Sequence, residues 1–251
     1  MNLSLHQQVA VITGAGSGIG YSIALTFARL GAKLALLDID REHGDLSAER
    51  CEEIGCLCKA YAVDVADYEA LQSVFDVIYG DLGSIEILVN AAGIWQYTPI
   101  LETSNRSLDR IMDVNFKGCL NAIKLVLPQM IEKRAGKIVA VASVAGKIGS
   151  SAGGTYYAAS KGALIALIRS LAREFGEFNI NINAVTPGVI DTPMAQKIGD
   201  AAIKGTQVQR SALKRLGIPE EGAAVIAFLA SPLSSFVTGQ AWNVCGGYLM
   251  D

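Results

Sequence analysis

The sequence predicts a single α/β domain of the doubly wound Rossmann type, with a seven-stranded, mainly parallel sheet covered by helices on both faces. Three observations predict it. Short β-rich runs alternate with longer helical patterns along the whole chain. Several of those runs are continuously apolar, which marks strands buried on both faces. A glycine-rich turn, TGAGSGIG (Thr13–Gly20), stands where the first strand gives way to the first helix.

The elements follow in order. VAVIT (Val9–Thr13) reads as the first strand, and Gly18–Leu30 as a helix that stops before Gly31. KLALLD (Lys33–Asp38) is the second strand, followed by a helix over Arg41–Ile54. KAYAVDV (Lys59–Val65), IEILVN (Ile85–Asn90) and GKIVAVAS (Gly136–Ser143) supply three more strands. Thr155–Phe178 is a long helix, INAVTP (Ile182–Pro187) the sixth strand and QAWNVCG (Gln240–Gly246) the seventh. Pro128 falls in a helical stretch and is expected to kink it. No linker, repeat or low-complexity segment divides residues 1–251.

Composition narrows the function. The chain has 251 residues, 51% of them hydrophobic, enough for one large core. Lys and Arg number 21 against 24 Asp and Glu, with no basic stripe, which argues against nucleic acid as a partner. No apolar run approaches the roughly 18 residues of a membrane helix, and the start lacks a signal pattern. Five cysteines and two distant histidines suggest reduced thiols in a cytoplasmic protein, with no metal.

The glycine turn can tighten the chain and bring backbone close to a diphosphate, while the helix behind it offers free N–H groups and a favourable dipole. Its spacing, Gly14, Gly18 and Gly20, is G-x3-G-x-G. Asp38 ends the second strand, where an acid can bond both ribose hydroxyls of an adenosine. The competing role, opening the next helix, suits Asp40 equally well. A 2′-phosphate at about 4 Å from Asp38 would be repelled by about 4 kcal/mol per charge pair at an effective dielectric near 20. Ser17 brings no positive charge to the turn, so NAD is expected over NADP. Further on, YYAASKG holds two tyrosines and a lysine. Residues four apart share a helix face, so Tyr157 belongs with Lys161, and Tyr156 points elsewhere, toward core or pocket wall.

These motifs, taken in order, resemble the short-chain dehydrogenase/reductase family, in its compact group of about 250 residues. The resemblance runs from Val9 to Tyr248. It rests on TGAGSGIG, Asp64–Val65, NAAG (Asn90–Gly93), Asn115 in VNFKG, Ser143 in VASVAG, Tyr157-x-x-x-Lys161, PGVIDTPM (Pro187–Met194) and FVTGQ (Phe236–Gln240). The resemblance implies an active tetrad of Asn115, Ser143, Tyr157 and Lys161. It implies cofactor contacts from Gly14, Ser17, Gly18, Ile19, Gly20 and Asp38, from Asp64 and Val65 beside the adenine, and from Asn90, Ala91 and Gly93 near the ribose. Pro187, Gly188, Val189 and Thr192 would border the nicotinamide, and Tyr157 and Lys161 would meet it too. It also implies a homotetramer and a small-molecule substrate. Departures from the family's usual pattern are Ala212, Cys245 and Asn181, the last expected before the sixth strand.

Free tyrosine, with a pKa near 10, is a poor base at neutral pH. Lys161 and a positively charged nicotinamide would each favour the phenolate, by roughly 1 to 3 pKa units apiece. Ser143 would orient the substrate oxygen, and Asn115 would hold a water that passes the proton outward. A lid over residues 193–216, with Trp95, Gln96, Ala145, Lys147, Ser150, Ser151 and Tyr156, is expected to line the substrate pocket. Trp95 and Tyr156 suggest a partly apolar substrate; an exposed Lys147 is the plainer expectation beside an anion contact. The expected function is NAD-dependent interconversion of a secondary alcohol and a ketone. The alternatives are reduction of a 3-oxoacyl thioester, which in the family usually favours NADPH, and a non-catalytic NAD-binding regulator.

Overall fold

Val9–Thr13 (β1) sits at the centre of the molecule with every side chain buried. Alternate residues feed opposite layers: Val9 and Val11 join one core and Ala10 and Ile12 the other. That is why this strand is apolar throughout rather than alternating. The structure, a computed structural model, describes residues 3–96, 98–150, 154–196 and 201–251.

Seven strands form one sheet in the order β3-β2-β1-β4-β5-β6-β7. The others are Lys33–Asp38 (β2), Cys58–Ala62 (β3), Ile87–Asn90 (β4), Gly136–Val141 (β5), Ile180–Pro187 (β6) and Ala241–Val244 (β7). Every pairing is parallel. The chain runs outward from β1 to β3, then crosses back to β4 on the other side of β1. This reversal opens a crevice at the carboxyl ends of β1 and β4, where ligands of such sheets bind.

Helices Gly18–Arg29 (α1) and Arg41–Glu52 (α2) contribute Phe27 and Ala48 to one core. Tyr68–Leu82 (α3) contributes Phe75 to the other. Asn105–Met112 (α4) runs through a π-helical turn at Asp113–Gly118 into Cys119–Lys133 (α5). Ala145–Ile148 (α6) is one turn, and Thr155–Phe175 (α7) buries Leu164 and Ile168 on the α3 and α5 side. Short Pro193–Gln196 (α8) and Ala201–Arg210 (α9) follow β6. Pro219–Ala230 (α10) packs with α1 through Ile226. Each fully buried Phe or Ile stabilises the fold by about 1.5–3 kcal/mol.

Polar residues set the helix starts. Asp40 accepts from His43 N at 3.1 Å and Asp67 from Ala70 N at 3.0 Å, so each caps its helix. Asp40 thereby takes the capping role, and Asp38 is left for another task. The third strand ends at Ala62, short of the expected Val65, because Asp64 turns its carboxylate back onto Ala66 N at 3.0 Å. Asn181 lies inside β6 rather than before it, buried between the carbonyls of Ser235 and Val237 and the Lys137 ammonium. The helix expected through Pro128 does continue past it to Lys133. Among the described residues, no helix is long and apolar enough to cross a membrane.

The glycine turn is the tightest packing of the fold. Gly14 adopts φ +68°, and a side chain there would meet the Ala92 backbone at 2.6 Å. A Cβ on Gly20 would stand 1.9 Å from the Gly14 carbonyl oxygen. Gly20→Ala is therefore expected to cost about 2 kcal/mol or more and to lower the melting temperature by about 5 °C or more, read by thermal denaturation.

Candidate active site

The crevice deepens into a cavity of about 610 Å³ at the carboxyl ends of β1, β4, β5 and β6. Its walls bring together almost all of the residues singled out in the sequence. Gly14, Ser17, Gly18, Ile19, Gly20 and Asp38 line one end, with Asp64 and Val65. Ala91, Gly93, Ser143, Tyr157 and Lys161 line the middle, and Pro187, Gly188, Val189 and Thr192 the far side. Two stand apart. Asn90 is buried at the end of β4 behind the wall, with both atoms of its amide unpaired. Asn115 is also buried behind the wall.

Backbone contact between two elements assembles the centre. α6 follows β5 directly and lies against α7 so closely that a Cβ on Gly146 would meet Lys161 C at 2.6 Å and Gly162 N at 2.8 Å. Only glycine at position 146 permits that approach. It brings Ser143, at the β5 exit, and Tyr157, on α7, to one part of the cleft, where Ser143 acts to lower the phenol's pKa. Lys161 lies on the same face, its Nζ 5.8 Å from the centre of the Tyr157 ring.

Lys161 is 4% exposed, and Nζ donates to Val141 O at 2.7 Å. Burial pulls its pKa down to about 8. Tyr157 moves the opposite way: desolvation raises the phenol above its ordinary value, and the Ser143 hydrogen bond only partly offsets that. The sequence expectation counted the nicotinamide's charge together with Lys161, and the protein's own groups alone shift the phenol the other way. Within the protein alone, burial outweighs the neighbouring ammonium, whose hydrogen bond goes to a backbone carbonyl.

Asn115 sits in the π-helical turn, which widens the helix there. Its amide nitrogen donates to Ile94 O and Ser160 Oγ, each at 3.0 Å, and its oxygen accepts from Ile94 N at 2.8 Å. Ser160 Oγ in turn donates to Tyr157 O at 2.7 Å. Asn115 thus ties the strand exit after β4 to the tyrosine's helix. A Cβ on Gly93 would lie 3.3 Å from Asn115 Oδ1 and 3.4 Å from Lys161 Nζ.

The glycine-turn end fits a dinucleotide. Ser17 makes no side-chain cap, so the first-turn N–H groups of α1 stay uncapped by it, beside the cleft. Asp38 accepts from Gly16 N at 2.8 Å and Asp40 N at 3.0 Å, which fixes its carboxylate at the wall next to Ser17 and Ile39. The unpaired Asn90 amide lies immediately before Ala91 of the wall, a buried polar group of the kind that a ligand or water completes.

The substrate side differs in part from expectation. Trp95, Ala145 and Ser150 line the cavity, as do Val208, Ser211 and Leu213 of the expected lid. Tyr156 does not, because five residues from Lys161 it is turned further around α7. Gln96 is exposed and outside the lining. Lys147 is neither exposed nor in the pocket: its side chain is 11% exposed and bonded to Asp251 and Ala241 O. Ser151 and residues 197–200 of the lid lie outside the described residues. Sequence reasoning missed Arg110, Ile148, Asn243 and Tyr248 in the lining. Arg110 pairs with Asp64 at 2.8 Å, and Arg215 with Glu221; neither pairing leaves a local sequence signal.

A parallel sheet with a dinucleotide-type glycine turn and a Ser–Tyr–Lys cluster lining the cleft at its switch point defines a Rossmann-type oxidoreductase class. The comparisons agree. The family model described as Enoyl-(Acyl carrier protein) reductase matches residues 14–249. The 3-oxoacyl-[acyl-carrier-protein] reductase FabG of Thermotoga maritima is 39% identical over 248 residues, covering 99% of this chain and 100% of the relative. The oxidoreductase UcpA of Salmonella typhimurium is 40% identical over 250 residues, 97% of this chain and 95% of that one. A solved 3-oxoacyl-[acyl-carrier protein] reductase from Brucella melitensis with bound NAD superposes with a TM-score of 0.91 at 35% identity, covering 99% of this chain and 94% of that one. The chain belongs to the short-chain dehydrogenase/reductase family.

Burying a charged Lys161 costs stability. The drop from 10.5 to about 8 corresponds to about 3 kcal/mol, against about 1 kcal/mol for its hydrogen bond to Val141. The folded pKa is depressed, so the penalty is full below about pH 8 and fades as pH rises toward the ordinary lysine value near 10.4. Lys161→Met is expected to melt at a higher temperature than the parent at pH 7, with the gap narrowing between about pH 8 and 10. Lys137, also lowered to about 8, is present in both proteins and cancels. Thermal denaturation across that pH range checks it.

Proposed function

We propose that this protein is an NAD-dependent oxidoreductase that interconverts a secondary alcohol and a ketone, with Tyr157 as the general acid and base. The observation that carries the reading is Ser143, Tyr157 and buried Lys161 lining one cleft with the glycine turn and Asp38, Lys161 Nζ lying 5.8 Å from the centre of the Tyr157 ring.

The chain's own groups divide the work. α1's N-terminus and the Gly14–Gly20 turn would hold a diphosphate, and Asp38 the adenosine ribose hydroxyls. Asp64, fixed by Arg110, and Val65 would border the adenine. The Pro187–Thr192 stretch would flank the nicotinamide, with Thr192 seated against Gly18. Bound NAD would supply the hydride acceptor and a positive charge beside the phenol. Lys161 Nζ would bond the nicotinamide ribose. Ser143 would hold the substrate oxygen in line, and Tyr157 Oη would take its proton. Asn115 is committed to Ile94 and Ser160, so its part is to shape the proton's way out past the helix. A phenol raised by burial stays protonated at neutral pH, the form that ketone reduction uses, whereas taking a proton needs the added charge of the oxidised cofactor.

Reduction of a 3-oxoacyl thioester is the second reading, favoured by the 39% identity to the Thermotoga maritima reductase. Asp38 supports NAD under either reading, because a 2′-phosphate beside it would be repelled. A homotetramer in the cytoplasm completes the proposal. Leu101, Phe236 and Met250 are 97%, 103% and 77% exposed, apolar surface that other copies would cover.

Purified protein is assayed with NAD or NADP against cyclic and acyclic secondary alcohols, and in reverse with ketones and acetoacetyl-coenzyme A, by absorbance of the reduced nucleotide. An NAD preference of about a hundredfold or more is expected, and Asp38→Ser should erase most of it. NADP preferred by the parent would refute the cofactor assignment. Tyr157→Phe should cut turnover by about a thousandfold while leaving NAD affinity within about twofold. Sedimentation giving a monomer would contradict the tetramer.

A further inference from the structure

Residues 243–251 carry no role in the chemistry above, yet they wall the cleft. Asn243, Cys245, Gly246 and Tyr248 line it together with Ser143. Two sets of bonds hold this segment. On the lid side, Leu213 N donates to Gly246 O at 3.0 Å. On the other side, Asn243 Nδ2 donates to Asp251 Oδ1 at 2.6 Å and Leu249 O at 3.2 Å, while Thr186 Oγ1 donates to Asn243 Oδ1 at 2.6 Å. Lys147 closes the loop, donating to Asp251 Oδ2 at 2.9 Å, Oδ1 at 3.2 Å and Ala241 O at 2.8 Å.

Lys147 stands on α6, four residues after Ser143, and its neighbours Ala145 and Ile148 face the cavity. The segment folded back from β7 is thereby fastened to the helical turn that directly follows Ser143. The Lys147 side chain is nearly buried, and Asp251 keeps its carboxyl below the ordinary carboxylate range through that contact. Without the carboxylate, a nearly buried ammonium would face only the Ala241 carbonyl, at a cost that favours moving the segment it holds. Trp95, Ile148, Met194, Val208 and Leu213 give the lining an apolar part beside the charged Lys161, Arg215 and Glu221.

We infer that the Lys147–Asp251 pair, seated on Asn243, is a positioning latch that fixes Gly246 and Tyr248 in the cleft wall, and that with the apolar part of the lining it selects partly apolar carbonyl compounds. The selection rests on the proposed function; the latch does not.

The test uses the full chain and the variants Asp251→Asn, Lys147→Met and Asp251→Glu. Asp251→Asn and Lys147→Met should lose about tenfold in kcat/KM on cyclic secondary alcohols, carried by KM, with NAD affinity within about twofold of the parent. Asp251→Glu should recover most of that loss. Hydrogen–deuterium exchange over residues 243–251 should be faster in the first two variants and near the parent's in the third. Unchanged exchange in Asp251→Asn overturns the latch, whatever the protein turns over. Faster exchange with KM unchanged, or with an equal loss on every substrate, overturns the selection. A parent that turns over no alcohol refutes the function while exchange still decides the latch.

Discussion

The site depends on one close contact: the α6 turn pressed against α7 at Gly146, Lys161 and Gly162. Ser143 arrives from a strand exit, and Tyr157 and Lys161 from a helix that starts a dozen residues later. Nothing local holds these groups together. The absence of a side chain at position 146 allows two backbones to meet and sets all three at one depth in the cleft. The β5–β6 pairing beneath, from Gly136 to Val141, supplies both the strand exit and the Val141 carbonyl that receives the Lys161 ammonium.

Burial in that contact has a price in electrostatics. It lifts the Tyr157 phenol and lowers the Lys161 ammonium, the reverse of what a proton-accepting tyrosine needs. The protein's own groups therefore keep this phenol in its protonated form. Asn115, in a widened helical turn, spends its bonds on Ile94 and Ser160, so its effect on chemistry runs through the placement of Tyr157's helix.

Much of the molecule was legible in the sequence. The β1 and β2 boundaries match the apolar runs Val9–Thr13 and Lys33–Asp38, because central parallel strands are apolar on both faces. Edges were read less well. The third strand ends early because Asp64 caps its own turn, and β6 begins early because its pairing with β5 extends to Ile180. Tyr157, not Tyr156, shares the lysine's face, as spacing alone required. The pocket assignments of Tyr156 and Lys147 failed for a common reason. Sequence neighbours of catalytic residues point around a helix or toward a distant segment, and Lys147 finds its partner 104 residues away.

The sequence by itself determined the fold class, the glycine turn, the acid at Asp38 and the pairing of Tyr157 with Lys161, since each follows from local spacing and side-chain chemistry. Only the tertiary structure decided that Asn90 and Asn115 stand behind the cleft wall, that Arg110 braces Asp64, and that Asn243, Cys245, Gly246 and Tyr248 line the cleft. It also decided the sign of the Tyr157 shift. Desolvation and long-range ion pairs depend on what the rest of the chain packs around a group, and residue spacing carries no record of that.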